Sequence, residues 1–325
     1  MCCSGLDRLA QATPRRTEEE LKAMEEDALP RNQRPRMPPP PPNPDLLKEE
    51  EILDFFKLEG ARAVFECRSG RPGLVRGFSR PGTKKDNWAR KESLECLPMI
   101  AVTPEHYNRM YRILERGIPV IVEVEIRNRI GESVEMANNI LGEIPGSDLK
   151  DEIVMLGAHF DTWHASPNAS DNTSGCAVAL EAVRILKAVG AKPRRTIRVA
   201  LWGGEEQGIH GSREYVHKHF GNPHNPIIGV KPDYEKFSVY FNQDYGAGAY
   251  RGIFLQGNEF ARRFFAEWMK PLHDLGFRTI SVQSVGSTDH VSFDNAVIMA
   301  VFVYNAAMSD ERMPRETLIV EPDKK

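Results

Sequence analysis

The chain has 325 residues, of which 41% are hydrophobic and 27% charged, with a net charge of −3 and a pI near 6.3. That is the composition of an ordinary globular protein, long enough for one large domain or two smaller ones. The balance leaves no basic footprint for nucleic acid and no polybasic patch for a membrane surface.

The longest apolar run, Ala296 to Tyr304, is far too short for a membrane span. The first thirty residues carry charges and no apolar stretch, so no signal peptide is visible in this chain. Five cysteines (Cys2, Cys3, Cys67, Cys96 and Cys176) form no Cys-x-x-Cys pair. A structural zinc site on sulfur is therefore not expected. Cys67 and Cys96 are the one pairing considered, joined in an oxidising compartment and free in a reducing one.

Residues 1–44 read as a peripheral segment. Within it, Thr17-x-x-Glu20 is a capping box that opens a short charged helix ending before Pro30. The proline run Pro38 to Pro42 reads as an extended polyproline strap. Asp45 to Glu59 predicts a helix closed by Gly60, Ala61 to Glu66 a strand, and residues 68–94 a polar loop. Pro98 to Val102 predicts a short strand. Thr103-Pro104 then opens a helix that runs to Leu114, with Thr at the cap and Pro in the first turn. Val120, Val122, Val124 and Ile126 alternate with Glu123 and Glu125, which predicts a half-buried strand. Residues 45–127 thus form a small α/β unit without a catalytic cluster.

The pattern changes after residue 128. Ile153 to Ala158 is continuously apolar, as in a strand buried on both faces. An amphipathic helix follows over Asn172 to Val189, with Leu180, Val183 and Leu186 opposite Glu181, Arg184 and Lys187. Strands are predicted at Thr196 to Trp202, Phe237 to Gln243 and Thr279 to Gln283, with helices at Ser212 to Phe220 and Glu259 to Leu275. This alternation predicts an α/β fold over residues 128–325: a mostly parallel mixed sheet flanked by helices.

In such sheets, sites lie off the carboxyl ends of the strands. Four chemistry-bearing clusters fall there: His159-Phe160-Asp161, Ser170-Asp171-Asn172, Glu205-Glu206, and Asp244 in Gln243-Asp244-Tyr245-Gly246. Each has an ordinary explanation on its own: a hydrogen-bonded core histidine, a helix cap, a solvated glutamate pair and a turn aspartate. Their recurrence at successive strand ends is what points to chemistry. Adjacent carboxylates need a positive charge or a proton to compensate them. One His with several carboxylates suits zinc, manganese or cobalt. Asp161 falls on the same side of the strand as His159 and is placed to orient its ring. One of Glu205 and Glu206 is the candidate general base, and Asp171 the candidate bridge between two ions.

These residues carry a family signature. Gly157-Ala158-His159-Phe160-Asp161-Thr162, Asn168-Ala169-Ser170-Asp171-Asn172-Thr173-Ser174-Gly175, Gly203-Gly204-Glu205-Glu206-Gln207-Gly208 and Gly211-Ser212-Arg213 resemble the co-catalytic di-zinc exopeptidases. That family includes the zinc aminopeptidases and carboxypeptidase Q. Residues 45–127 are similar to part of the protease-associated domain that many members carry. The resemblance implies two zinc ions held by His159, Asp171, Glu206 and Asp244, with Asp171 bridging and a cis peptide at Asp171–Asn172. It implies Glu205 as the base that activates water, with Asp161 orienting His159. The expected substrates are peptide termini or dipeptides. A secreted or periplasmic location follows from the resemblance, and a homodimer is left open.

Two departures stand out. Tyr245 follows Asp244 where relatives usually have a small or amide residue. The family's fifth ligand, a late-loop His, has no counterpart between Gly286–Asn295 and Val297–Asn305. The expectation is a member truncated at the N-terminus and internally deleted near residues 295–297. One zinc shell is then incomplete unless His290, His164 or water completes it, and a catalytically impaired binding protein is the alternative reading. The run Ala296 to Tyr304 is expected to be a helix, with a strand as the alternative.

Overall fold

The structure is a computed structural model. It describes residues 16–26, 49–67, 76–79, 96–127, 138–163, 166–222, 229–244, 248–293 and 300–314. The chain divides into two compact units, one holding the described residues 49–127, the other 16–26 and those from 138 onward.

Helix α1 (Glu18–Glu26) belongs to the second unit. It opens on the expected reciprocal box: Thr17 N donates to Glu20 Oε2 at 2.8 Å, and Glu20 N donates to Thr17 Oγ1 at 3.2 Å. Its Glu25 accepts the backbone N–H of Ile280 at 3.1 Å.

In the first unit, α2 (Glu49–Leu58) is followed by Gly60 in the left-handed region at φ 79°. Strands β1 (Val64–Cys67), β2 (Arg76–Ser79) and β3 (Pro98–Val102) form a sheet in the order β1-β3-β2. β1 runs parallel to β3, and β2 antiparallel to it. Helix α3 (Pro104–Leu114) starts where the sequence places it, with Thr103 Oγ1 accepting from His106 N at 3.4 Å.

One expectation fails in this unit. Residues 120–126 are not a strand: no described strand pairs with them, and Ile121 is 94% exposed. Alternation gives a segment two faces, but a strand also needs a partner for its backbone.

In the second unit, β4 (Ile140–Ile144), β5 (Leu149–His159) and β6 (Arg195–Trp202) precede two short strands, β7 (Gly221–Asn222) and β8 (Gly229–Val230), and then β9 (Phe237–Asn242). The main sheet has the order β4-β6-β5-β9, with β6, β5 and β9 parallel and β4 antiparallel to β6. β10 (Gly252–Phe254) and β11 (Thr279–Ser281) pair separately. The helices are α4 (Ser174–Ala188), α5 (His210–His219), α6 (Arg262–Met269) and α7 (Ala300–Met308). α4 and α7 both pack on β5, whose Val154, Met155, Leu156 and Ala158 are fully buried. This is the double-sided burial that their unbroken apolar run predicts.

The single helix expected over Glu259 to Leu275 is three pieces: a 3₁₀ turn at Glu259–Ala261, α6, and a 3₁₀ turn at Lys270–Leu275. Pro271 is the physical reason, because it has no N–H to donate and its ring crowds the preceding turn. The late apolar run is helical from Ala300, and Phe302, Val303, Ala306 and Ala307 are buried. Residues 294–299, where the internal deletion is expected, lie outside the described residues. Among the described residues, no helix is long and apolar enough to cross a membrane.

Arg195 fastens α7 to the sheet. It is 1% exposed, pairs with Glu152 Oε2 at 2.6 Å, and donates to the carbonyls of Ala306 (3.3 Å) and Ser309. Removing the carboxylate leaves a buried guanidinium without its counter-charge. Glu152→Leu is expected to destabilise this unit by about 3 kcal/mol, read from the urea midpoint of the purified chain. An unchanged midpoint would show that the ion pair contributes nothing.

Candidate metal centre

The three parallel strands end side by side. The register pairs His159 with Trp202 and Gly157 with Asn242, at or near the last residues of β5, β6 and β9. Asp161 lies just past β5, Glu205 and Glu206 just past β6, and Asp244 just past β9. The pairing extends beyond the strands, because Phe160 N donates to Trp202 O at 2.8 Å and Gln243 N to Gly157 O at 2.9 Å. The chain therefore enters each functional loop from a fixed edge.

His159 is 1% exposed and central. Its Nε2 lies 3.1 Å from Asp171 Oδ1, 3.3 Å from Asp244 Oδ1 and 3.9 Å from Glu205 Oε2. On the other side of the ring, Nδ1 lies 3.1 Å from the carbonyl of Asp161 and 3.5 Å from its carboxylate. The carbonyl is the closer partner. A proton held on Nδ1 by that carbonyl leaves Nε2 free to act as a ligand.

The Asp161 carboxylate has a second job that its spacing did not reveal. Its Oδ1 accepts Glu205 N at 3.0 Å and its Oδ2 accepts Glu206 N at 3.2 Å.

Asp171 sits in a wide turn, Ala169–Thr173, ahead of α4, and the Asp171–Asn172 peptide is cis, as the resemblance implies. Asn172 is fully buried and ties this turn to the end of β9. Its Nδ2 donates to Gln243 O at 2.8 Å, and its Oδ1 accepts Gly175 N at 3.2 Å. A Cβ on Gly175 would fall 2.2 Å from Asn172 Oδ1 and 2.5 Å from Gln243 O, so only glycine allows this approach.

His159, Asp171 and Asp244 offer donor atoms that all lie within 4.8 Å of one another. One imidazole and two carboxylates at that spacing fit a three-ligand zinc site with a fourth position free for water. The Glu206 carboxylate is not part of this group. Of the residues considered for the incomplete shell, His290 is buried, with Nε2 2.7 Å from Val285 O. That contact engages one of its two ring nitrogens. His164 lies outside the described residues.

The electrostatics show how strongly this cluster calls for positive charge. Burial opposes protonation of His159, but Asp161, Asp244 and Glu205 outweigh it and raise its pKa to about 11. Burial, reinforced by Asp244, Asp289 and Glu206 against the pull of His159, pushes Glu205 up to about 8. Glu206 is raised by burial and by the charge of Asp171. Burial also works on Asp161, but the His159 ring and the two backbone amides prevail and hold it below the usual carboxylate range.

Asp289 was not singled out from the sequence, where it served only as part of the segment Gly286 to Asn295. It is fully buried in a 3₁₀ turn, Asp289–Ser292, and among the described residues neither of its carboxyl oxygens has a hydrogen-bond partner. Burial pushes its pKa up to about 7. The nearby Ser212 tempers the rise but makes its own hydrogen bond with Ser292 Oγ at 3.0 Å. Thr288 seats the turn, accepting from Asp289 N at 2.7 Å and from Asn242 Nδ2 at 3.0 Å.

These shifts give metal-free protein a defined pH dependence. Asp289 and Glu205 have raised folded-state pKa values, so they cost nothing below about pH 4, where both states are protonated. Their cost grows from there and is complete once pH has passed about 7 and about 8. The stabilisation from His159 is complete below about pH 6.5 and is lost as pH climbs toward 11. All three act in the same direction. In EDTA, the melting temperature is expected to fall as pH rises from 5 to 8. Asp289→Asn is expected to remove part of that slope, on the order of 3 kcal/mol between pH 5 and a folded-state pKa of about 7. A variant with the full wild-type slope would rule out Asp289 as a source.

Comparison with known proteins agrees with this geometry. Residues 139–316, more than half of the chain, match Peptidase family M28. Carboxypeptidase Q of Mus musculus is 27% identical over 197 residues, covering 61% of this chain and 39% of that protein. Aminopeptidase YwaD of Bacillus subtilis (strain 168) is 31% identical over 186 residues, covering 55% of this chain and 38% of that protein. The chain thus spans about two fifths of the length of these relatives. Among solved structures, a Peptidase M28 precursor from Shewanella amazonensis SB2B superposes with a TM-score of 0.51 at 21% identity, covering 68% of this chain and 55% of the other, which shows the shared fold. Fold, strand-end geometry and sequence match agree: the chain belongs to peptidase family M28, the family of co-catalytic zinc exopeptidases.

Proposed function

We propose that the chain is a zinc-dependent exopeptidase that hydrolyses the terminal peptide bond of peptides or dipeptides. The observation that carries this is the convergence of His159 Nε2 with Asp171 and Asp244, at 3.1 and 3.3 Å, beside a nearly buried Glu205. His159, Asp171 and Asp244 would hold one zinc ion. Asp171 and Glu206 would hold a second with only two protein ligands. Zinc supplies Lewis acidity toward a peptide carbonyl and toward water.

The chain's own residues do the rest. Asp161 fixes the ring of His159 through its carbonyl and the positions of Glu205 and Glu206 through its carboxylate. Glu205, whose Oε2 lies 3.9 Å from His159 Nε2, takes the proton from the attacking water and delivers it to the leaving amine. A base must give up its proton near the working pH, and a carboxyl raised by burial is suited to moving protons in both directions. Asp171 is 66% exposed, so the centre is open to solvent on that side, where a substrate terminus can enter.

The test begins with zinc titration of EDTA-stripped protein, followed by metal analysis. One tightly held ion and one much weaker ion per chain are expected. Glu205→Gln is expected to keep the tight ion and to lower kcat on a panel of dipeptides and aminoacyl anilides by ~10²–10⁴-fold. No bound zinc would defeat the proposal. Bound zinc with no hydrolysis of any panel member would favour the alternative, a zinc-binding protein that has lost catalysis.

A further inference from the structure

Glu205 and Glu206 stand on a loop that leaves β6 at Gly203 and enters α5 by Gly211, and something must hold its two ends together. Part of this is internal: His210 N donates to Gly204 O and Gly211 N to Gly203 O, both at 3.0 Å, and Ile209 N donates to Glu205 O at 2.8 Å. The rest comes from Asn139, the residue before β4. Its Oδ1 accepts Gly203 N at 3.2 Å, and its Nδ2 donates to Gly211 O at 2.9 Å. A single amide thus ties the start of the loop to its end.

The fit has no slack. A Cβ on Gly211 would fall 2.3 Å from Asn139 Oδ1 and 2.4 Å from Gly203 O. The chemistry is specific as well. The ends of the loop present one N–H and one C=O, and asparagine presents one acceptor and one donor at the matching spacing. Aspartate keeps the acceptor but turns a second oxygen toward the Gly211 carbonyl. Aliphatic residues supply neither group. No hydrogen bond links Asn139 to His159 or to any carboxylate of the centre among the described residues, so it acts only through the loop.

We propose that Asn139 is a positioning residue: its side-chain amide closes the Gly203–Gly211 loop and thereby sets where Glu205 stands over the centre. Asp161 holds the crown of the loop by the amides of Glu205 and Glu206, and Asn139 holds its base. The catalytic consequence rests on the proposed role of Glu205, while the ordering of the loop does not.

The experiment compares Asn139→Ala and Asn139→Asp with wild type by hydrogen exchange and by kinetics. Exchange of the backbone amides from Glu205 to Gly211 is expected to quicken by about tenfold or more, with residues 153–159 of β5 unchanged. Zinc at the His159 group does not depend on this loop, so the tight stoichiometry is expected to stay at the wild-type value. kcat is expected to fall by on the order of 10²-fold, with KM little altered. Asn139→Asp keeps the volume and one hydrogen bond, so it serves if the alanine variant fails to fold. Unchanged exchange in the loop would overturn the proposal, as would a drop in kcat that only tracks lost folded protein or lost zinc. If wild type hydrolyses nothing, the proposed function fails by itself, and the exchange result still decides whether Asn139 orders the loop.

Discussion

The second unit is organised around an electrostatic problem: one imidazole, 1% exposed, is enclosed by carboxylates at the ends of three parallel strands. Burying so much negative charge is unfavourable unless positive charge or protons offset it. In metal-free protein, protons play that part, on His159, Glu205 and Asp289. A divalent cation does it better, because it neutralises several carboxylates at once and leaves one free to exchange its proton. Much of the local structure makes sense as a means of holding these groups close against their repulsion.

That restraint is mostly side chain to backbone. Asp161 accepts the amides of Glu205 and Glu206, Asn172 bridges the Asp171 turn to Gln243, and Asn139 ties Gly203 to Gly211. Below them, Trp202 Nε1 donates to Tyr240 Oη at 2.7 Å, and Tyr240 Oη donates to Asn242 Oδ1 at 2.6 Å. Asn242 continues to Thr288, and Thr288 to the turn that carries Asp289. A continuous polar chain therefore runs from the core of β6 through β9 to the buried acid. Satisfied networks of this kind fix a unique arrangement, and among the described residues this one is left open at the Asp289 oxygens.

The sequence revealed the framework well where local physics determines the structure. The unbroken run Ile153 to Ala158 marked a central strand, Thr103-Pro104 marked a helix start, and Thr17 with Glu20 marked a cap. It misled where local pattern needs a distant partner. Val120 to Ile126 alternates as a strand should, yet no described strand lies beside it. Pro271 stands inside the helix expected over Glu259 to Leu275, and its missing N–H ends α6 at Met269. In the centre, the candidate donors stood out in the sequence because His159, Asp161 and Asp244 lie at or just past strand ends and Asp171 lies in the turn that opens a helix. Asp289 and Asn139 did not. Burial and a match to two backbone groups far along the chain are properties of the folded structure, and no spacing rule encodes them.

The two glutamates of the Gly203–Gly211 loop differ for the same electrostatic reason. Glu205 is 8% exposed and close to His159, so its proton affinity follows the net charge of the centre. Glu206 is less buried; burial raises its pKa first, and the charge of Asp171, whose side chain is 66% exposed, raises it second. Solvent weakens that second interaction. The carboxylates Asp161, Asp171, Glu205, Glu206 and Asp244 carry five negative charges when ionised, and one divalent cation leaves three of them unbalanced. Glu205 then still has reason to keep its proton near neutral pH. Each further positive charge drawn to Asp171 and Glu206 lowers that affinity, the direction that the proposed role of Glu205 as base requires. The side of the centre that holds the exposed Asp171 and the half-buried Glu206 is therefore the side whose charge sets how readily the buried Glu205 gives up its proton.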